Sequence, residues 1–199
     1  MSDITIIDTG IANTASVFAA FERLGCSVTL TRDPQRVSEA SFVVLPGVGQ
    51  FGEGMRSLRA SGLDRVIVEH IKQDRPLLGI CLGLQLLCVG SAESPGIEGL
   101  GVIDAMVTRF PATIRTPQHG WNRVGNGYAY FSNSYRVGSI PDGWDGELSE
   151  HGGVFVASLR RGRTYACQFH PELSGAWGAG VLRSWIDNAK EASPCCAVE

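Results

Sequence analysis

The sequence has no long apolar run and no excess of positive charge. A membrane-spanning helix needs about 20 consecutive apolar residues, and no segment approaches that length. The formal net charge is -3, whereas surfaces that bind nucleic acid are usually basic. The first ten residues, MSDITIIDTG, lack the basic region and cleavage site of a secretory leader and are typical of a buried strand. We therefore expect a cytoplasmic protein that binds neither membranes nor nucleic acid.

Paired cysteines are also missing. The sequence contains no CxxC pair, and no Cys/His group has the spacing of a zinc site. The six cysteines are Cys26, Cys81, Cys88, Cys167, Cys195 and Cys196. In a reducing compartment we expect thiols rather than disulfides, and we expect neither a metal nor a cofactor. Cys195 and Cys196 lie in the terminal stretch 191–199, which we expect to be disordered.

Strand-like and helix-like segments alternate in the first half of the chain. Apolar residues recur at helical spacing over Val17–Leu24, and again over Met55–Gln73 with a break at Gly62. Four short segments are typical of strands: Ile4–Ile7, Ser27–Thr31, Ser41–Leu45 and Leu77–Ile80. Strands that alternate with helices predict a parallel sheet with helices on both faces.

The second half of the chain is richer in strands. Between Gly101 and Phe169, four segments are typical of strands: GVIDAMVTRF, YAYFSNSYRV, VFVASL and TYACQF. Apolar residues over Val181–Ala189 predict a closing helix. With 199 residues, 44% of them hydrophobic, the chain can bury one substantial core. The predicted fold is one α/β domain over residues 1–199, with a mostly parallel central sheet flanked by helices and a β-rich C-terminal portion.

Cys81 stands where a predicted strand meets a predicted helix, Leu82–Val89. A cysteine at a buried strand end is commonly a small core residue. However, Gly79 and Gly83 permit a sharp turn here, and the first N–H groups of a helix can stabilise a thiolate or hold an oxyanion. The turn by itself leaves both interpretations open. Cys88 has none of these features and is predicted to pack in the core.

A cysteine nucleophile needs a base and a group that orients the base. The four histidines are His70, His119, His151 and His170. His70 occupies an ordinary helix position and His151 a loop, whereas His170 ends a predicted strand. In extended backbone, residues i and i+2 share a side, so Glu172 can reach the imidazole and select its tautomer. A solvated turn is the alternative interpretation of this segment.

The segment Gly47–Gly52 matches the pattern G-x-G-x-x-G directly after a predicted strand. In dinucleotide-binding folds, an acid that binds the ribose follows such a loop by about 20 residues. Glu69 has this spacing but falls inside a predicted helix, so the nucleotide interpretation is weak. The loop can instead direct backbone N–H groups at a developing oxyanion, because Pro46 and the glycines allow a peptide to rotate.

Together these motifs resemble the class I, or triad, glutamine amidotransferases. The family pattern is a G-x-C-x-G-x-Q turn with a distant H-P-E, and here these are Gly79–Gln85 and His170–Glu172. Two further segments, PGVGQF (46–51) and HGWNRV (119–124), are similar to the glutaminase subunits of imidazole glycerol phosphate synthase, an enzyme of histidine biosynthesis. The resemblance implies the amidotransferase fold.

Smaller matches extend this resemblance along most of the chain, from about Ile4 to Ile186. They are Asp8-Thr9-Gly10 with Asn13, and Phe169–Glu172 followed by Ser174.

The resemblance implies a cysteine glutaminase. Cys81 would attack the side-chain amide of glutamine and form a glutamyl thioester, His170 would transfer the proton, and Glu172 would orient the imidazole. The oxyanion hole would combine the backbone N–H of Leu82 with one from the loop Gly47, Val48 and Gly49, with Val48 as the candidate. The glutamine pocket would contain Gln85, Glu93, Ser134 and Tyr135. For Gln85 and Glu93, a solvated helix face is the alternative interpretation.

The resemblance also implies a partner subunit. Glutaminases of this type dock onto a (βα)8-barrel cyclase, which receives ammonia and makes imidazole glycerol phosphate and aminoimidazole-carboxamide ribotide. The resemblance places Asn13, Trp121 and Asn122 at or near this interface in a heterodimer. A lone tryptophan in a turn is more often a packing residue, which is the alternative for Trp121.

Three positions depart from the family pattern. The segment Pro117-Gln118-His119 shifts a family histidine by one residue, Asn133 replaces a second histidine, and Leu173 replaces the basic residue that commonly follows H-P-E. None belongs to the triad, but all lie in segments that set glutamine geometry or the partner interface. Two rival functions therefore remain: an amidotransferase that serves another synthase, such as one aminating a sugar, and a partner-binding subunit without activity.

Overall fold

The computed structural model describes residues 2–10 and 13–191. The helices are α1 (Thr14–Arg23), α2 (Pro34–Glu39), α3 (Phe51–Ser61), α4 (Leu63–Lys72), α5 (Leu82–Leu87) and α6 (Gly175–Glu191), with a 3-10 helix at Pro171–Leu173. The strands are β1 (Asp3–Ile7), β2 (Ser27–Thr31), β3 (Phe42–Gly47), β4 (Leu77–Cys81), β5 (Cys88–Ser91), β6 (Ile103–Arg109), β7 (Gln118–Val124), β8 (Gly127–Asn133), β9 (Tyr135–Val137), β10 (Asp145–Glu150), β11 (Val154–Arg161) and β12 (Thr164–Cys167). Of the stretch 191–199 that was predicted to be disordered, Glu191 instead ends α6, and residues 192–199, which include Cys195 and Cys196, lie outside the described residues.

A seven-stranded sheet forms the centre of the molecule, in the order β10-β11-β12-β4-β3-β1-β2. From β12 to β2 all neighbouring strands are parallel, and β10 and β11 extend the sheet in antiparallel fashion. Every residue of β3 and β4 is buried, as expected for parallel strands covered by helices on both faces. The predicted fold class is confirmed.

Two hydrophobic clusters cover the two faces of this sheet. One cluster contains Phe21 from α1 and Leu182 and Trp185 from α6. The other contains Met55 from α3 and Leu86 from α5. Among the described residues, no helix is long and apolar enough to cross a membrane.

The β-rich portion divides among three sheets, which its sequence pattern does not reveal. Strands β10, β11 and β12 join the central sheet, β5, β6 and β9 form a three-stranded sheet, and β7 and β8 form a hairpin. The predicted helix Leu82–Val89 is shorter than expected, because Cys88 already begins β5 and pairs with Ile103. The predicted break at Gly62 is present, with φ 73° between α3 and α4.

Helix α2 was not predicted from the sequence, although its start carries a recognisable signal. The Asp33 side chain accepts a hydrogen bond from the backbone N–H of Gln35, and Pro34 occupies the first helical turn. An aspartate cap followed by proline is a common helix start. At six residues the helix is too short to show hydrophobic periodicity.

Candidate active site

Cys81 ends β4 in a conformation that non-glycine residues rarely adopt. Its φ is 54° and its ψ is -107°, and such backbone strain costs on the order of 1–3 kcal/mol. The pairing of β3 with β4 places Gly47 directly opposite Cys81, and the cysteine is only 5% exposed. The strand-to-helix turn predicted from the glycines is therefore present, and it holds the thiol at the carboxyl edge of the parallel sheet.

Gly83 allows α5 to approach β3 closely. A Cβ at position 83 would overlap the carbonyl oxygen of Leu45. The glycine therefore permits the helix to begin directly beside the strand that leads into the loop 47–49. This close approach keeps the Leu82 N–H and the loop on the same side of Cys81.

His170 is held in place through its ring and through its backbone. Its Nδ1–H donates to Oε1 of Glu172 at 2.8 Å, which leaves Nε2 for Cys81. Its backbone N–H donates to the carbonyl of Tyr130 at 2.9 Å, and the hydroxyl of Ser174 donates to its carbonyl at 2.6 Å. The side chains of His170 and Glu172 are 7% and 3% exposed. The imidazole consequently has one defined tautomer and orientation.

Opposing effects act on the pKa of His170. Burial lowers this pKa, but hydrogen bonding and charge interactions with Cys81 and Glu172 together raise it to about 10. Cys81 is therefore one of the two groups that raise the pKa of this imidazole. A protonated imidazole beside the sulfur favours the thiolate and can protonate a leaving amine.

Gln168 is a member of this site that sequence reasoning missed. It is fully buried, and its Nε2 lies 3.5 Å from Cys81 Sγ. Its Oε1 accepts a hydrogen bond from Gln85 Nε2 at 2.9 Å. Part of the signal was present in the sequence, because the predicted strand TYACQF ends just before His170, and residues 168 and 170 are two positions apart. In the structure, β12 already ends at Cys167, and a bend places Gln168 beside Cys81.

A cavity of about 230 Å³ opens beside Cys81. It brings together all four residues proposed for glutamine binding and the predicted oxyanion segments. The lining residues are Val48, Gly49, Cys81, Leu82, Gln85, Glu93, Pro117, Ser132, Asn133, Ser134 and Tyr135. A larger cavity of about 600 Å³ lies between α6 and strands β10 to β12 and contains none of these residues.

The loop after β3 is held at its helical end by residues that follow β5. Glu93 Oε2 accepts from the N–H of Phe51 at 2.7 Å, and Ser94 Oγ accepts from the N–H of Gly52 at 3.0 Å. These are the N–H groups that a dinucleotide phosphate would need, so the nucleotide interpretation of the glycine pattern has no support. Glu69 is an exposed residue of α4 that accepts from Gln73 instead.

The candidate interface residues lie outside the cavity. Trp121 is 59% exposed on β7, with its ring 6.2 Å from that of Tyr130. Asn122 donates to the carbonyl of Glu150 at 2.8 Å. Asn13 precedes α1, and its side chain donates to Ser16 Oγ at 3.2 Å. Helix α1 contacts the 3-10 helix of the H-P-E segment.

The departures from the family pattern have a structural consequence on the β7–β8 hairpin. Gln118 pairs with Asn133, and both are buried at 5% and 6% exposure. Side chains alternate along a strand, so the one-residue shift moves the histidine to the outer face. There, His119 Nδ1 lies 3.2 Å from Ser132 Oγ and Nε2 lies 2.9 Å from the hydroxyl of Tyr130. Leu173 is 40% exposed.

The other described cysteines are free and buried or half-buried. Burial raises the pKa of Cys26, and raises that of Cys88 to about 12. Burial, with the charges of Glu172 and Cys81, raises the pKa of Cys167 well above its usual range. Within residues 2–10 and 13–191, no group of three His, Cys, Asp or Glu side chains is arranged to hold a metal ion.

Comparison with known proteins points to one family. Residues 5–186 match the family model of the glutamine amidotransferases, class I. The imidazole glycerol phosphate synthase subunit HisH of Moorella thermoacetica is 38% identical, over 96% of this chain and 98% of that subunit. Imidazole glycerol phosphate synthase hisHF, chloroplastic, of Arabidopsis thaliana is 39% identical over 93% of this chain, which spans only 34% of that protein. A crystal structure of a glutamine amidotransferase shares the fold with a TM-score of 0.77, at 19% identity over 94% of this chain and 98% of the other.

Proposed function

The chain belongs to the class I glutamine amidotransferases, and on this premise we propose that it is the glutaminase subunit of imidazole glycerol phosphate synthase. The observation that carries the proposal is the strained Cys81 at the edge of a cavity lined by Gln85 and Glu93, together with the buried His170–Glu172 pair, whose imidazole interacts with Cys81. We take residues 1–199 as one amidotransferase domain.

The proposed reaction begins at the sulfur of Cys81. The thiolate attacks the side-chain carbonyl carbon of glutamine, and the N–H of Leu82, with that of Val48, stabilises the resulting oxyanion. His170 then donates its Nε2 proton to the amide nitrogen, the C–N bond breaks, and ammonia leaves. A glutamyl thioester remains on Cys81. The raised pKa of His170 supports its role as the acid in this step.

Hydrolysis of the thioester completes the cycle. His170, now neutral, accepts a proton from water through Nε2, and the hydroxide attacks the thioester carbonyl. Collapse of the second tetrahedral intermediate expels the Cys81 thiolate and releases glutamate. Glu172 stays bonded to Nδ1 throughout, so that Nε2 faces the reacting atoms in both steps.

The chemistry of the cavity suits an amino acid substrate. The Glu93 carboxylate can pair with the α-ammonium group, and Ser134 and Tyr135 can donate to the α-carboxylate. Both Nε2 hydrogens of Gln85 already bond within the protein, to Tyr135 O at 3.1 Å and to Gln168 Oε1 at 2.9 Å. Gln85 can therefore offer only its oxygen to glutamine.

Ammonia released into water would be protonated and lost, so the proposal includes a cyclase partner. Two relatives are named as imidazole glycerol phosphate synthase or its subunit. The exposed Trp121, with Asn13 and Asn122, is proposed to contact the cyclase. We also propose a cytoplasmic location, which the free thiols of the described cysteines support.

The deciding experiment measures glutamate release by this chain alone, and then with a histidine-pathway cyclase and its ribonucleotide ligand. We expect low activity alone that rises by orders of magnitude in the complex. High glutamate release by the isolated chain, unchanged by the cyclase, would support Cys81 as the nucleophile of a glutaminase but would assign the chain to another synthase. No glutamate release under either condition would contradict the proposal.

A further inference from the structure

Gln168 touches the sulfur that carries out the proposed reaction. We propose that Gln168 is an additional catalytic residue, whose side-chain amide donates a hydrogen bond to Cys81 Sγ and whose orientation is set by Gln85. The inference rests on the proposed function, because it takes Cys81 as the nucleophile. It adds a second donor to the sulfur, besides His170.

The direction of this hydrogen bond follows from a backbone carbonyl. Gln85 Nε2 lies 3.1 Å from the carbonyl oxygen of Tyr135, and a carbonyl can only accept. The amide nitrogen of Gln85 must therefore face this oxygen, and its second hydrogen donates to Gln168 Oε1 at 2.9 Å. Gln168 consequently presents its NH2 group, not its oxygen, to Cys81 Sγ at 3.5 Å. We call this series, Tyr135 O, Gln85, Gln168 and Cys81 Sγ, the amide chain.

Gln168 cannot easily leave this position. Its backbone N–H donates to the carbonyl of Ala157 on β11 at 2.8 Å, and the residue is 0% exposed. No solvent competes for its amide at this depth. The geometry is thus prepared before substrate arrives, which is the condition under which a single donor contributes most to catalysis.

The sulfur has one competing partner. The carbonyl oxygen of Ser132 lies 4.0 Å from Cys81 Sγ and could accept a hydrogen bond only from the neutral thiol. Gln168 donates, and a donor stabilises the charged form. Gln168 Nε2 is also the nearer of the two groups, at 3.5 Å against 4.0 Å for the Ser132 carbonyl oxygen.

The amide chain also joins the substrate cavity to the nucleophile. Gln85 lines the cavity and at the same time fixes the orientation of Gln168. Changes at Gln85 should therefore alter the reactivity of Cys81 even when no glutamine is present.

The test measures the alkylation rate of Cys81 by iodoacetamide across pH, in the full chain, by mass spectrometry of the Cys81 peptide. Iodoacetamide is small and neutral, so it can reach Cys81 through the cavity without the contacts that would hold the α-ammonium and α-carboxylate groups of glutamine. The variants are Gln168→Met, which keeps the volume but removes the donor, and Gln168→Glu, which places a carboxylate oxygen against the sulfur. Thr164→Val is the control, because Thr164 is also a buried polar residue (2% exposed) but begins β12 away from Cys81, where it pairs with Leu77.

The titratable groups near Cys81, other than residue 168 itself, remain the same in every variant. They are His170, Glu172, Cys167, Glu93 and Tyr135. A difference between wild-type and variant profiles therefore reports the change at residue 168.

We expect Gln168→Met to slow alkylation at pH 7 by about tenfold and to move the midpoint of the pH profile upward, because a hydrogen bond to the anion is lost. Gln168→Glu should move the midpoint further, and Thr164→Val should leave it unchanged. In the cyclase complex, kcat for glutamine should fall by about tenfold in Gln168→Met, with KM changed by less than about threefold.

An unchanged alkylation profile in folded Gln168→Met would overturn the inference. If circular dichroism shows that Gln168→Met does not fold, the test uses Gln168→Glu, which keeps an oxygen that can accept from Gln85. An unchanged midpoint of the alkylation profile in Gln168→Glu would also overturn the inference. Failure of the proposed function is a separate result, because alkylation of Cys81 can depend on Gln168 even if no glutamine is hydrolysed.

Discussion

Three properties meet at Cys81: a strained backbone, almost complete burial, and contact with polar groups from distant parts of the chain. The strain at φ 54° would be relieved in a glycine residue, yet only a cysteine supplies the sulfur. Two neighbouring residues hold Cys81 in place. Gly47 pairs with it across β3 and β4, and Gln168 Nε2 lies 3.5 Å from its sulfur. Strain at a buried reactive group is typical of functional sites, where packing elsewhere offsets its cost.

Replacing Cys81 should separate chemistry from stability. Cys81→Ala should abolish glutamine hydrolysis while the fold and cyclase binding persist, because only the sulfur is removed. Cys81→Gly should be equally inactive but more stable than Cys81→Ala by about 1 kcal/mol, since glycine adopts positive φ without strain. Glutamate release and denaturant unfolding measure the two effects. Normal turnover by Cys81→Ala would refute the nucleophile assignment, and equal stabilities would show that the turn is unstrained.

His70 is a second buried histidine, and it has no part in the site. Its Nε2 lies 3.0 Å from the carbonyl of Pro76. Burial, with a smaller contribution from the charge of Arg75, lowers the pKa of His70 from 6.5 to about 4, although the bond to Pro76 opposes this. In the pH range between these values, the unfolded chain binds a proton at His70 and the folded chain does not.

This difference predicts acid sensitivity with a defined sign. The stability linked to neutral His70 is complete above pH 6.5 and is lost as pH falls through about 4. The slope from this one group is about 1.4 kcal/mol per pH unit. His70→Gln should flatten the pH dependence of the free energy of unfolding between pH 6.5 and 4.5. Equal slopes in wild type and His70→Gln would contradict the assignment.

At the scale of elements, the site depends on how closely α5 packs against β3. Gly83 permits this contact, because any side chain there would overlap the Leu45 carbonyl. The contact keeps both oxyanion segments, Leu82 and the loop 47–49, beside Cys81. The segment 168–172 supplies the opposite wall, where a bend after β12 and the 3-10 helix Pro171–Leu173 hold Gln168, His170 and Glu172.

Gly83→Ala should therefore damage both fold and activity. Backbone shifts around the new Cβ should lower the free energy of unfolding by at least about 2 kcal/mol and reduce glutamine hydrolysis. Gly180→Ala is the control, because a Cβ in this position of α6 meets nothing within 4 Å; it should stabilise by up to about 1 kcal/mol through helix propensity. Denaturant unfolding compares the two variants. A Gly83→Ala protein as stable as wild type would show that the close approach is unnecessary.

At the scale of the whole molecule, the reactive residues meet at one edge of the sheet. Strands β3 and β4 end there beside the H-P-E segment, and the β7–β8 hairpin reaches it through the bond between Tyr130 and His170. Trp121 remains 59% exposed on the outer face of this hairpin. A large exposed aromatic ring is a frequent anchor of protein interfaces.

Trp121→Ala should weaken cyclase binding without affecting folding. We expect a loss of at least about 2 kcal/mol, or roughly thirtyfold in Kd, and a higher ratio of glutamate to cyclase product. Met106→Ala is the control, because Met106 is 51% exposed on β6. Titration with the cyclase and thermal unfolding measure the two quantities. Unchanged affinity and product ratio would make Trp121 a packing residue of the hairpin.

Local patterns in the sequence determined much of this protein. The alternation of strands and helices predicted the parallel sheet, and Gly79 and Gly83 predicted the turn at Cys81. The i, i+2 spacing indicated that Glu172 can reach His170, although spacing alone favoured a solvated turn. The contact is present at 2.8 Å, but Glu172 makes it from the 3-10 helix Pro171–Leu173 and not from extended backbone. Each of these features depends on residues within a few positions of one another, where backbone geometry and periodicity act directly.

Only the tertiary structure decided the contacts between distant segments. It placed β12 beside β4, which brought Gln168 to Cys81 across 87 positions of sequence. It also assigned β10 and β11 to the central sheet, and it buried Gln118 while turning His119 outward. Strand order and register arise from long-range packing between segments, and the local propensities of a single sequence do not encode them.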